Sequence, residues 1–138
     1  MVKRETPSLL LDASAVIAVF RLEPGMDTVQ QALKERLCCI SSVTLIELEG
    51  KLVGKGEYTQ NQVRVAWSHL APFVTELVFD AACREKAAFY YARKSPYQLS
   101  LGDAACLGTA EAFGLEVLTA ERNWKSLPDL PFAVTLIR

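Results

Sequence analysis

A chain of 138 residues, 51% hydrophobic and 22% charged, has the size and composition of one compact globular domain and is not that of a disordered protein. Its net charge of −1 supplies no general basic field to attract a nucleic acid, so such a partner has to be met by local charge, for instance at a bound cation. One histidine (His69) and four cysteines (Cys38, Cys39, Cys83 and Cys106) without a CxxC pair argue against zinc ribbons, dithiol redox motifs and histidine-based triads.

In chain order, a polar leader (residues 1–6) and Pro7 precede Ser8-Leu9-Leu10-Leu11, which predicts a short buried strand ending at Asp12. Residues 14–20 are apolar and compact, the pattern of a short helix. Pro24 suits the first turn of a helix running to about Leu37, with Val29, Leu33 and Leu37 on one face. Cys38-Cys39-Ile40 reads as a second strand. Ser41 and Ser42 are good N-caps for a helix through Val53, which Gly54 and Gly56 stop. Thr59 caps a helix carrying Val63, Ala66, Trp67 and Leu70, closed by Pro72; residues 73–78 alternate weakly, as a strand would. Asp80 caps a long helix with Cys83, Ala87, Tyr90 and Tyr91, and residues 93–99, with Pro96, form a loop. A helix then runs from Ser100 to about Gly114, followed by a strand over 115–118, a turn and short helix over 119–124, and a last strand over 132–137.

Short apolar strands separated by helices are the pattern of a parallel sheet covered on both faces. The fold class is therefore α/β, with a single domain over residues 1–138 and no repeats or linkers. No run approaches the ~18 consecutive apolar residues that span a bilayer. Asp12 interrupts the stretch 9–20 that comes nearest to a signal peptide, so a cytoplasmic protein with reduced thiols is expected.

Ligands of open α/β folds bind beyond the carboxyl ends of the strands, and four acids fall there. Asp12 directly follows the first strand, Glu47 lies in the helix after the second, Asp103 is one turn into the Ser100 helix, and Glu121 lies just past the strand over 115–118. Each has an ordinary reading as well. Asp12 could cap the following helix, Ser100 and Asp103 fit a capping box, and Glu47 and Glu121 could be solvated charges. Asp12 is the hardest to dismiss, because Leu9-Leu10-Leu11 and Ala15-Val16-Ile17 flank it and an acid in apolar surroundings needs a partner.

The segments around these acids carry a resemblance. Leu9-Leu10-Leu11-Asp12-Ala13-Ser14-Ala15-Val16, Ser41-Ser42-Val43-Thr44-Leu45-Ile46-Glu47, Leu99-Ser100-Leu101-Gly102-Asp103-Ala104-Ala105-Cys106-Leu107 and Leu118-Thr119-Ala120-Glu121-Arg122-Asn123-Trp124 resemble, in order and spacing, the four motifs of the PIN-domain family. The third is close to the form found in VapC-type toxins of type II toxin–antitoxin pairs. The resemblance implies a three-layer α/β/α sandwich around a parallel sheet of about five strands. It also implies a metal-dependent endoribonuclease with Asp12, Glu47, Asp103 and Glu121 as catalytic metal ligands, Glu121 standing where such toxins usually carry Asp. Thr119 resembles the family's hydroxyl residue, and Asn123 is a nearby supporting ligand. An RNA substrate such as a transfer RNA, a VapB-like antitoxin that blocks the site and a homodimer are further implications.

An all-oxygen donor set selects hard cations, Mg²⁺ first and Mn²⁺ as its substitute. Such an ion neutralises charge on a phosphate and activates water. Lys51, one turn beyond Glu47, and the Arg93-Lys94 pair ahead of Asp103 are candidate RNA contacts, each with solvated surface charge as the plain alternative. His69, Trp67, Tyr90 and Tyr91 read as structural. An aspartyl-phosphate phosphatase would need an acid two residues after Asp12, where Ser14 stands. A PIN-domain nuclease outside a toxin–antitoxin pair and a catalytically silent binding module are the remaining alternatives.

Overall fold

The computed structural model describes residues 8–138; the leader through Pro7 and the side chains of Lys94 and Pro96 lie outside the described residues. Strands β1 (Leu9–Leu11), β2 (Cys38–Ser41), β3 (Val74–Leu77), β4 (Glu116–Thr119) and β5 (Val134–Leu136) form a 5-stranded sheet in the order β3-β2-β1-β4-β5. Every neighbouring pair is parallel. Helices α1 (Ala13–Phe20), α2 (Met26–Glu35), α3 (Ser42–Gly54), α4 (Gln60–Leu70), α5 (Ala81–Ala92), α6 (Lys94–Tyr97) and α7 (Leu101–Phe113) make the crossovers.

Successive side chains of a strand point to opposite faces, and here both faces are apolar. Leu9, Leu11, Cys38, Ile40 and Leu118 pack with Val16 of α1, Val29 of α2, Leu48 and Leu52 of α3 and Val63 of α4. Leu10, Cys39 and Val117 pack the other way, against Tyr90 of α5, Leu107 and Ala110 of α7, and Trp124. Two cores separated by one sheet make a three-layer α/β/α sandwich.

The helix starts follow local hydrogen bonding. Ser41 caps α3 by accepting from the Val43 N–H, and Thr59 and Ser100 head capping boxes with Gln62 and Asp103. Gly114, at φ +67, closes α7 in the left-handed conformation that glycine adopts freely.

The structure corrects three of the expected element assignments and one expected burial. Helix α2 begins at Met26, not at Pro24, because Gly25 caps it at φ +96 and the Ile137 Cγ1 lies 2.9 Å from where a Cβ on Gly25 would stand. It ends at Glu35, leaving Leu37 beyond the helix. Residues 93–99 are not all loop: α6 forms a short helical turn, broken where Ser95 is extended. Tyr91 is exposed while Cys83, Ala87 and Tyr90 are buried, since 91 stands at the edge of the helical face whose centre 83, 87 and 90 occupy.

The cysteines are buried thiols, with no disulfide among the described residues. No helix among the described residues is long and apolar enough to cross a membrane.

Candidate active site

In a parallel sheet all carboxyl ends share one edge. Here β1 continues toward β2 while its other neighbour, β4, continues toward β5, which opens a crevice at that edge between β1 and β4. Asp12 stands there, its backbone N–H donating to the Leu118 carbonyl at 3.0 Å. It is the N-cap residue of α1, but its side chain makes no capping bond. Instead Asp12 Oδ2 accepts from Ser14 Oγ at 2.6 Å and from Thr119 Oγ1 at 2.9 Å.

Both hydroxyls are themselves fixed. Ser14 Oγ accepts from the Ala120 N–H at 2.9 Å and Thr119 Oγ1 from the Glu121 N–H at 3.0 Å. A hydroxyl has one proton to donate, so both protons are committed to Oδ2 and none remains for the 3.1 Å contact between Ser14 and Thr119. The Asp12 carboxylate is thus held in one orientation with neither hydroxyl on its second oxygen. It is only 3% exposed. Burial pushes its pKa up and the Asp103 charge adds to this, while the two hydroxyls and the Ala13 N–H oppose it.

Glu47 reaches the same edge from α3. Its side chain is 14% exposed, with Oε2 3.8 Å from the half-exposed Lys51 ammonium one turn on. Glu47 Oε1 is buried and has no hydrogen-bond partner. Burial raises its pKa, with the Asp12, Asp103 and Glu121 charges adding and Lys51 opposing. Glu121 follows β4 and heads a 3₁₀ turn (Arg122–Ser126) without capping it through its side chain. Its pKa is also raised by burial, then by Asp12 and Asp103, against Lys51 and Arg138.

Asp103 is the third residue of the first turn of α7. Its N–H donates to Ser100 Oγ at 3.1 Å and its Oδ2 accepts from the Ser100 N–H at 3.3 Å, so the capping-box reading of its sequence is realised. Its charge nonetheless acts on Asp12, Glu47 and Glu121. One turn further, the fully buried Cys106 thiol is pushed well above its usual pKa by burial, with Asp12, Glu47 and Asp103 adding, and forms a neutral floor.

The fold therefore brings Asp12, Glu47, Asp103 and Glu121 within mutual electrostatic reach from four separate segments. Among the described residues no three acidic, histidine or cysteine side chains are placed so that together they hold a metal ion. Three of the acids are turned to local neighbours: Asp12 to the hydroxyls, Asp103 to its helix cap, Glu47 to Lys51 and to Gly102. The residues nevertheless fit a hard divalent cation. The donors are all oxygen, and a buried carboxylate oxygen without a partner, Glu47 Oε1, is a cost that a cation would remove.

The other sequence candidates lie as follows. Asn123 is exposed in the 3₁₀ turn, its carbonyl accepting from Ser126 Oγ, and no hydrogen bond joins its side chain to the acids. The Arg93 guanidinium lies over the Phe89 ring, 3.6 Å from its centroid, and donates to the Phe89 carbonyl at 2.9 Å. Lys94 starts α6, its side chain outside the described residues.

Sequence reasoning overlooked the contributions of Ser14, Gly102 and Arg138. Ser14 and Gly102 stood inside the motif segments and could have been weighed there. Arg138, which follows β5 and donates to the Pro24 carbonyl at 2.9 Å, gave no sequence signal.

An α/β/α domain with a row of carboxylates at the switch point of a parallel sheet defines the class. The sequence matches the PIN domain over residues 9–130, and the chain belongs to that family. No curated protein matches it in sequence. Solved structures share the fold at low identity. VapBC2 from Rickettsia felis, bound to a DNA fragment from its promoter, has a TM-score of 0.74 at 14% identity, covering 93% of this chain and 97% of that one. DNA-bound VapBC from Salmonella typhimurium has a TM-score of 0.74 at 16% identity, covering 96% and 100%. VapC20 from Mycobacterium tuberculosis, described as a Sarcin-Ricin loop cleaving toxin, has a TM-score of 0.71 at 15% identity, covering 91% and 99%.

Proposed function

We propose that the chain is a divalent-metal-dependent endoribonuclease of the VapC kind, the toxin of a toxin–antitoxin pair. The observation that carries this reading is the convergence of Asp12, Glu47, Asp103 and Glu121 on one strand edge, with a Glu47 oxygen buried and unpartnered there. Membership of the PIN-domain family, whose members are nucleases, supports it, as does the likeness to an RNA-cleaving toxin.

Asp12, through the oxygen its two hydroxyls leave free, Glu47, from its place against Gly102, and Asp103, by rotation from its helix cap, would hold the ion, Mg²⁺ or its substitute Mn²⁺. The bound ion supplies charge neutralisation at a scissile phosphate and acidifies the water beside it. Ser14 and Thr119 keep Asp12 in one orientation, which lowers the reorganisation needed at the moment of reaction. Glu121 orients the attacking water, and the burial and neighbouring Asp12 and Asp103 charges that raise its pKa make it a better proton acceptor than a free carboxylate. The water gives up a proton to Glu121 as its oxygen bonds to phosphorus, and the bond to the leaving oxygen breaks with the electron pair on that oxygen, which takes a proton from solvent. Lys51 offers a positive charge to the departing or adjacent phosphate. Arg93 and Lys94 would be outer contacts along the RNA, and Asn123 a supporting ligand close to Glu121 in sequence.

A structured RNA is the proposed substrate, a VapB-like antitoxin the proposed inhibitor, a homodimer the proposed assembly and the cytoplasm the proposed setting. An antitoxin arginine placed among the carboxylates would block the site, since a guanidinium meets a carboxylate through two parallel hydrogen bonds.

The test is incubation of the purified chain with structured RNA and Mg²⁺ or Mn²⁺, beside Asp12→Asn and Asp103→Asn. Metal-dependent cleavage by the wild type and a loss of about a hundredfold or more in each variant are expected. Absence of cleavage of any RNA favours a binding module, and cleavage unchanged in both variants removes the proposed chemistry. Growth arrest on expression, relieved by the product of an adjacent reading frame, separates a toxin from a nuclease outside such a pair.

A further inference from the structure

The α3 and α7 helices meet at the site through one contact that sets where Glu47 can stand. Gly102 is the second residue of α7, and a Cβ built on it would fall 2.7 Å from Glu47 Cδ and closer still to Oε2. No real side chain fits there without moving the carboxylate. The backbone requires no glycine, because Gly102 lies within a regular helix and is not among the positive-φ residues. Helix propensity alone favours alanine at such a position. Gly102 is thus explained by space and not by conformation.

The space has a direction. It seats the Glu47 carboxylate against Gly102 in the first turn of α7, the residue before Asp103, with Oε1 buried and unpartnered. The positive end of a helix dipole favours a carboxylate at that place.

We propose that Gly102 is a positioning residue of the metal site: its missing side chain is the seat that brings Glu47 beside Asp103, so that the two helices present their carboxylates to one cation. This rests on the metal-dependent reading above. Gly102 touches neither the ion nor the RNA and acts through Glu47 alone.

The neighbouring helix supplies a control. Gly50 lies within α3 and has nothing within 4 Å of its own Cβ position, so alanine there meets no obstacle. Gly50→Ala and Gly102→Ala are both glycine-to-alanine changes in regular helix, and only the second displaces Glu47.

The experiment is Mn²⁺ titration of the purified chain by calorimetry, with thermal melts in chelator as the measure of folding. Gly102→Ala is expected to melt within a few degrees of the wild type without metal, yet to bind Mn²⁺ about tenfold or more weakly, the loss typical when a partner that orients a ligand is changed. Gly50→Ala is expected to bind Mn²⁺ as the wild type does. In a Glu47→Gln background, Gly102→Ala should cause little further loss, because the carboxylate through which it acts is already gone.

Wild-type binding with equal binding by Gly102→Ala overturns the proposal. So does a Gly102→Ala loss that is undiminished in the Glu47→Gln background. Absence of Mn²⁺ binding by the wild type is a different failure, that of the metal-dependent reading itself, and takes this inference with it. If Gly102→Ala proves unfolded, Glu47→Asp replaces it: withdrawing the carboxylate from the Gly102 seat by one methylene must weaken Mn²⁺ binding, and unchanged affinity there also overturns the proposal.

Discussion

A carboxylate as deeply buried as Asp12 opposes folding when ionised, and two hydroxyls on one of its oxygens offset only part of that cost. The native state therefore holds the Asp12 proton more tightly than the unfolded chain does. The stability this confers is complete below the unfolded value of 3.8 and is lost as pH rises through the higher native pKa. Glu47 and Glu121, also raised by burial, act in the same direction. Asp12→Asn keeps the acceptor oxygen and removes the charge. In chelator the variant is expected to melt above the wild type at about pH 8, with the gap closing as pH falls through the native pKa of Asp12. Thermal melts across that range check this, and an Asn variant that melts below the wild type at the alkaline end contradicts it.

At the scale of elements, the site depends on how closely α7 lies on its neighbours. From Ala104 to Ala110 every residue of α7 is buried, and most are small. At Gly108 a Cβ would stand 2.6 Å from Ala87 Cα and 2.8 Å from Ala87 Cβ on α5, so the helices touch almost backbone to backbone. Backbone cannot yield as the end of a side chain can. Gly108→Ala is therefore expected to destabilise by about 1–3 kcal/mol through overpacking, despite the helix preference for alanine. Urea denaturation measures it through a lower midpoint at similar slope. A variant as stable as the wild type would show that α5 moves aside freely. Gly102, on the same helix, differs because its obstacle is a side chain, and there a change is read in binding before it is read in stability.

For the molecule as a whole, folding and ion binding are linked. Bringing four carboxylates to one edge raises the energy of the native state, and a cation that binds there binds only the folded chain. At a hundred times its dissociation constant, Mn²⁺ is expected to stabilise the protein by about 2.7 kcal/mol. The rise in melting temperature should grow with ion concentration, reverse on chelation and be absent from Asp12→Asn. Equal stabilisation of that variant would place the ion elsewhere.

The amino-acid order alone determined what local chemistry determines. The caps at Ser41, Thr59, Ser100 and Gly114 were readable because each acts over a few residues, and the strands were readable because a parallel sheet needs apolar side chains on both faces. The acids Asp12, Glu47, Asp103 and Glu121 could be picked out from their places after strands and from ordered motifs, while their roles rest on the experiments above. Tertiary structure alone decided the rest. Ser14 and Thr119 meet on one oxygen across 105 residues of chain, Ile137 closes on Gly25 and moves the start of α2, and Glu47 occupies the gap at Gly102. Local sequence encodes hydrogen bonds between neighbours and the period of burial. It does not encode which atoms from distant segments compete for the same few cubic ångströms, and that competition places the carboxylates.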